Sequence, residues 1–301
     1  MIEHRNSDYI ELLGEELIDQ NPVLAMEVLG ASSRLAIPLG WHYILDLIWL
    51  LRELPEGKNL RILEVGGGLG LFQFILADRG HSVISADMRD RELPSRLRSI
   101  YRIKEMGFEG KIEHKYLKHH GFNSRPGKSS IRSRLAKLLR GTKSEKKSTN
   151  PNLPVVSFYR CNAANMKEIE DGSIDVVVSV SAMEHNAPEV SQQIVAETLR
   201  VVKPGGKIMH TTSACKQGQD FHEESHSHLF GHERLAEIFA LKNYEHNFDR
   251  FEELKEALDQ SRYLRKWLAY SYYQSEKNGM PNGLWAPKYM PVGLIKYVRD
   301  E

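Results

Sequence analysis

Glu64, the glycines at 66, 67, 68 and 70, Asp87 and the histidines at 222, 226, 228 and 232 are the residues whose types and spacing could do chemistry in this chain. The glycines follow the apolar run Arg61–Val65 and precede Phe72–Ala77. That order describes a buried strand, a tight turn of residues without a β-carbon, and a helix whose N-terminus faces a ligand. A dinucleotide fingerprint does not fit, because its third glycine would fall on Leu71, and no Gly-Lys-Ser/Thr ending makes a phosphate loop. Asp87 closes a second strand at residues 81–87, where an acidic side chain is placed to accept hydrogen bonds from both ribose hydroxyls of an adenosine. The segment Asp220–Glu233 holds the four histidines among several carboxylates. A histidine there could remove a proton from a substrate hydroxyl, since its unperturbed pKa is about 6.5. A divalent metal site, with His222 and His226 at helical spacing, and a solvent-facing loop are the other readings.

The elements that must position these groups follow from periodicity. Ile10, Leu13, Leu17 and Ile18 predict a helix over residues 8–20, stopped at Pro22. Residues 41–51 read as a second helix, apolar nearly all round apart from Asp46, with Trp41, His42 and Tyr43 either lining a site or joining the core. Residues 154–162 form a strand. Asp171-Gly172-Ser173 then turns into the β-branched run Ile174–Val180, the pattern of a central parallel strand buried on both faces. A helix from Pro188 to Val202, a stop at Pro204-Gly205-Gly206 and a strand at 207–212 follow. The histidine segment is then a loop over the carboxyl edge of the sheet, where ligands bind in open α/β folds. Helices at 235–241 and 251–274 precede a closing strand at 291–298, and no strand is evident between 241 and 251.

Glu64-x-Gly66-x-Gly68-x-Gly70, the Asp171–Val178 turn and strand, Met183-Glu184-His185 and Leu199–Gly206 stand in that order over residues 58–213. Together they resemble the class I S-adenosylmethionine (SAM)-dependent methyltransferases, in particular the broad small-molecule group that includes the quinone-biosynthesis methylases. The resemblance implies an α/β, Rossmann-like, seven-strand-type sheet, mostly parallel with an antiparallel last strand and helices on both faces. It implies a helical cap over 1–54 and a SAM-binding domain over 55–301, with a basic insertion at 115–150 and a helical elaboration at 233–280. The cofactor residues it implies are Glu64, Gly66, Gly68, Gly70, Asp87, Met88, Asn162, Ala163 and Ser181. Glu64 would support the turn or meet the amino group, and Ser181 would lie near the transferring methyl. Asn162 stands where many relatives carry Asp, keeping a carbonyl acceptor and losing the charge. Ser181-Ala182-Met183-Glu184 stands where base methylases carry Asn/Asp-Pro-Pro-Tyr/Phe, which disfavours nucleic acid.

The formal charge of +1 gives no global pull toward polyanions. Between Lys115 and Lys147, however, eleven Lys or Arg face one acid, and Ile131, Leu135, Leu138 and Leu139 share a helical face. That segment is either a solvated insertion or, through 128–147, a contact with an anionic membrane surface. Cys161 and Cys215 form no disulfide framework, and the acidic N-terminal stretch lacks the features of a secretory signal, so a cytoplasmic enzyme is expected, either free or membrane-associated. The expected activity is O-methylation of a sugar, a lipid-linked or phosphorylated glycan or another small molecule, with His226 as base and His222 and His185 behind it. Carbon methylation of a quinone-like acceptor and cofactor binding without catalysis are the alternatives.

Overall fold

A computed structural model describes residues 7–89, 91, 93–107, 150–265 and 285–299. Its centre is β6 (Ile174–Val180), where Val176, Val177 and Val178 are all buried. Such consecutive burial is possible only for a strand covered on both faces. Beside it run β2 (Arg61–Val65), β3 (Ser82–Asp87), β4 (Arg102–Gly107), β5 (Val155–Arg160) and β7 (Val202–Ala214), all parallel, in the order β7-β6-β2-β3-β5-β4. The chain winds outward from β2 in one direction and from β6 in the other. The carboxyl ends of β2 and β6 therefore flank the crevice where this topology receives ligands.

The far edge departs from the expected order. The closing strand β11 (Met290–Tyr297) pairs antiparallel with β7, as expected, but its other neighbour is β1 (Tyr9–Leu12). Residues 8–20 are thus not one helix: a strand precedes a short helix, α1 (Glu16–Gln20), so the segment 1–54 is not wholly helical and contributes to the sheet. A two-residue strand, β10 (Glu245–His246), extends the edge beyond β1, where none was expected. Buried Asp8 secures this corner, its carboxylate accepting from the Tyr297 amide at 2.9 Å and its carbonyl from the Glu245 amide at 3.0 Å.

Two N-terminal helices, α2 (Pro22–Leu35) and α3 (Tyr43–Glu53), lead back toward the crevice. Residues 44–51 of α3 are all buried, because the helix lies against β11 with its partner helices over it. Gly293 of β11 makes that approach possible, since a β-carbon there would sit 2.5 Å from the Trp49 ring. On the other helical layers, α4 (Phe72–Asp78) follows the glycine turn, α5 (Ser95–Ile100) precedes β4, and α6 (Pro188–Val201) joins β6 to β7. The histidine segment is not a loop. It forms an antiparallel hairpin, β8 (Gln219–His222) and β9 (Ser227–Phe230), hydrogen-bonded onto the carboxyl end of β7 through Ala214 and Phe230. Helices α7 (His232–Ile238) and α8 (Phe251–Gln260) complete the described part of the C-terminal elaboration. Most of the basic insertion and residues 266–274 of the expected aromatic helix lie outside the described residues. Among the described residues no helix is long and apolar enough to cross a membrane.

Candidate active site

The glycine turn is built as its sequence requires. Gly66 has φ +72°, and a β-carbon there would lie 2.5 Å from that of Ala182, so the ends of β2 and β6 close on each other with no room for a side chain. Its amide donates to Ala86 O at 2.8 Å, the Gly70 amide donates to Gly67 O at 2.8 Å, and Gln73 Nε2 donates to Gly70 O at 2.8 Å. Asp87 leans back over the turn, Oδ2 accepting from the Gly68 amide at 2.8 Å and Oδ1 from the Arg89 amide at 2.7 Å. Each carboxylate oxygen has a second lone pair, so those bonds orient the group without exhausting it.

Behind the turn, Glu64 is 1% exposed, accepts from the Gln73 amide and leaves Oε2 with no hydrogen-bond partner. Burial, opposed by Arg91 and reinforced by Asp87, pushes its carboxyl up to about 7. Arg91 donates to Ser85 O, Ser85 Oγ and Gly68 O, and stacks 4.0 Å above the Phe158 ring, locking the turn to β3. Sequence reasoning did not single Arg91 out, because nothing in its spacing separates it from its neighbours.

These groups open onto a cavity of about 870 Å³, at the upper end of the usual range for ligand pockets of about 300–1,000 Å³. Glu64, Gly66, Gly68, Gly70, Asp87, Met88, Asn162, Ala163 and Ser181 all line it, so every residue expected to hold the cofactor is gathered on one wall or its continuation. Asn162 also caps its own turn, accepting from the Ala164 amide at 3.0 Å. Further lining is supplied by Ile37, Pro38 and Leu39 from the connection between α2 and α3, by Tyr43 of α3, by Met183 and His185 after β6, and by Phe221, Ser225, His226 and His228 of the hairpin.

The three histidines expected to be catalytic separate here. His222 is not in the cavity wall: it packs inward against Tyr289 at 5.4 Å between ring centroids, with Nδ1 2.7 Å from Ser225 Oγ. His226 lines the cavity at the hairpin tip in a left-handed conformation, φ +49°. Its carbonyl accepts a 3.1 Å hydrogen bond from His185 Nδ1. A carbonyl can only accept, so His185 carries its proton on Nδ1, and Nε2 is left as the basic nitrogen. His228, also in the wall, is held below the usual imidazole range by burial and by His185, against the pull of Glu189. No group of three or more His, Cys, Asp or Glu with metal-binding geometry occurs among the described residues.

A second polar group lies under the cavity, between α3 and β6. Asp46 is fully buried, and its Oδ2 accepts from His42 Nδ1 at 2.8 Å and Ser181 Oγ at 3.0 Å while Oδ1 has no partner. Ser181 is itself left-handed, φ +42°. Glu184 is 2% exposed, receives the Thr212 hydroxyl at 3.1 Å, and is raised by burial and by Asp46, against the pull of His185 and His42. Of the three aromatic residues at the start of α3, Tyr43 reaches the cavity, whereas Trp41 and His42 pack behind it against Tyr289. The signal for Asp46 was its place as the one charge in the apolar run 41–51.

A parallel sheet with its switch point at a glycine turn, an aspartate at the adjoining strand end and a cavity joining them form a site of the kind that takes a nucleoside cofactor. A family profile described as a methyltransferase domain matches residues 134–210, less than half of the chain, reaching from before β5 into β7. Solved structures are similar to the chain at low identity. One from Pyrococcus horikoshii is 20% identical over 57% of this chain and 53% of its own, with a TM-score of 0.31. A Haemonchus contortus phosphoethanolamine N-methyltransferase, solved with S-adenosylhomocysteine, is 14% identical over 95% of this chain and 60% of its own, TM-score 0.48. A Burkholderia thailandensis 1,6-didemethyltoxoflavin N1-methyltransferase is 12% identical over 95% and 84%, TM-score 0.40. The chain thus spans little more than half the length of the first two. A comparison with curated proteins finds no match. The glycine turn and Asp87 thus form a site of the kind that receives a nucleoside cofactor, residues 134–210 match a methyltransferase domain, and the cofactor that the sequence resemblance implies is SAM.

The residues present fit that cofactor on two counts: the cradle at Gly66 that a β-carbon would fill, and the orphaned Glu64 oxygen beside it. Gly66, Gly68 and Gly70 would take the methionine part, Asp87 the ribose, and Asn162 with Ala163 the adenine.

Proposed function

We propose that the protein methylates a hydroxyl of an uncharged, partly apolar small molecule, with His185 as the base. The observation that carries this reading is the His185 Nδ1 to His226 O hydrogen bond inside the cavity wall, which fixes the tautomer a general base needs. Bound SAM supplies an electrophilic methyl group, and the protein's part is to orient the acceptor, exclude water and take its proton. His226 then contributes its carbonyl rather than its ring, a reversal of the order expected from sequence. Among the described lining residues Arg89 is the one Lys or Arg, and it stands beside Asp87 on the cofactor side. An anionic acceptor would have no counter-charge on the hairpin side, so a neutral acceptor is favoured over a phosphorylated one.

The test is a panel of phenols, sugars and aliphatic alcohols with isotopically methyl-labelled SAM, read by transfer of label to oxygen. On a responsive acceptor, His185→Ala should lower turnover by about 10²–10⁴ while leaving SAM affinity intact. His226→Asn should cost far less, because it keeps the carbonyl and tolerates the left-handed backbone. Equal losses from both substitutions, or undiminished turnover in both, would refute the assignment of His185 as the base.

A further inference from the structure

We infer that Asp46 is a counter-charge for the sulfonium of SAM, so that the protein holds the charged cofactor in preference to its neutral demethylated product, S-adenosylhomocysteine. This rests on the cofactor reading above. The argument starts from a cost. A fully buried carboxylate with one unpartnered oxygen, set in a helix whose residues 44–51 are otherwise apolar, is worse for folding than a leucine in the same place. Beside it Ser181 is held in a left-handed backbone that a residue with a β-carbon rarely adopts. Neither feature is needed to pack α3 on β11, which is achieved by Trp49 and Gly293.

What the arrangement does is bring one buried acidic group, with no Lys or Arg partner among the described residues, to the α3 side of the cavity. Ser181 lines the cavity and donates its hydroxyl to Asp46, so the carboxylate stands one side chain behind the wall. Ser181 adjoins Ala182, the residue that abuts Gly66, so the site faces the same point as the glycine turn. The other acids around the cavity do not compete. Glu64 and Asp87 both feel the Arg91 guanidinium, which neutralises the glycine side. Glu184 is driven toward its protonated form by burial and by Asp46 itself. Among the described residues Asp46 has no Lys or Arg within ion-pair distance, and its one charged-group partner is the His42 imidazole. A buried charge of that kind acts over several ångströms in a low-dielectric wall and favours a cation.

The test needs no acceptor. Affinities of the full-length protein for SAM, S-adenosylhomocysteine and sinefungin, whose protonated amine replaces the sulfonium, are measured by titration calorimetry at neutral pH. The wild type should bind SAM and sinefungin about tenfold more tightly than S-adenosylhomocysteine. Asp46→Asn should bring all three within about twofold by weakening the two cations alone, while His42→Gln, which keeps the carboxylate, should retain the preference. Should Asp46→Asn fail to fold, Asp46→Leu with His42→Phe replaces the buried pair by apolar groups and serves the same purpose. Equal wild-type affinity for all three ligands overturns the inference. So does a uniform loss in Asp46→Asn, which would place the carboxylate on the amino-acid part that the ligands share, and so does loss of the preference in His42→Gln. Failure of the wild type to bind any of the three would instead remove the cofactor reading itself.

Discussion

At Gly66 an alanine would press its methyl against Ala182 and force a left-handed backbone on a residue that resists it. Gly66→Ala is therefore expected to weaken SAM binding at least about tenfold, measured by calorimetry, with circular dichroism reporting an unchanged fold. Asp87→Ala tests a different contribution. It removes the acceptor of the Gly68 and Arg89 amides as well as the proposed ribose contact, so it should both lower cofactor affinity and loosen the turn. A variant that bound SAM with wild-type affinity would show that the adenosine lies elsewhere. Both groups were legible in the sequence, because glycine and a strand-end acid are required for reasons that spacing alone expresses. His185 was legible as a candidate but not as the first one. Its advantage is a hydrogen bond to a backbone carbonyl 41 positions away, and no side-chain pattern announces that. Arg91 was invisible for the same reason, since its partners are two backbone oxygens and a serine.

Among the elements, the parallel core was readable because a strand covered on both faces must be apolar at consecutive positions, as in Ile174–Val180. The edges were not. Tyr9-Ile10-Glu11-Leu12 is too short to show a period, and Ile10, Leu13 and Leu17 fit a helix equally well; what makes it a strand is the open edge of β11 at the other end of the chain. The hairpin escaped notice because its strands, Gln219–His222 and Ser227–Phe230, are four residues each and show no alternation of apolar with polar. Asp8 gives this edge a test. Its carboxylate accepts from the half-buried Tyr297 amide, and Asp8→Ala removes that acceptor. The expected cost is about 1–3 kcal/mol in denaturant unfolding, with the SAM affinity of the folded protein unchanged. Gly293→Ala should also destabilise, by about 1–3 kcal/mol, because the added methyl meets the Trp49 ring. A neutral result would mean that α3 can withdraw from the sheet at no cost.

For the molecule as a whole, two couplings set stability. SAM at 100 times its Kd should stabilise the fold by about 2.7 kcal/mol, whereas NAD should not shift the unfolding transition. The second coupling is to acid. His210 of β7 is fully buried, both ring nitrogens lack partners, and burial pushes its pKa down to about 3 from 6.5. The unfolded chain therefore binds a proton that the folded one refuses, so stability is fully present above about pH 6.5 and falls as pH drops toward 3. Between pH 7 and 5 the loss from this residue is about 2 kcal/mol, and His210→Leu should flatten the profile by that amount in parallel denaturant titrations. An unchanged slope would assign the acid sensitivity to other groups. The sheet edge also bears on how the chain is made. Tyr9–Leu12 leaves the ribosome early, yet both of its neighbours, Glu245–His246 and Met290–Tyr297, lie far downstream. The glycine turn and the parallel strands can be assembled while β1 still lacks a partner, and β1 gains its antiparallel partner only when β11 arrives. Synthesis that stalls before β11 would thus leave a nearly whole cofactor site with a bare apolar strand beside it, a species fitted for capture by a chaperone.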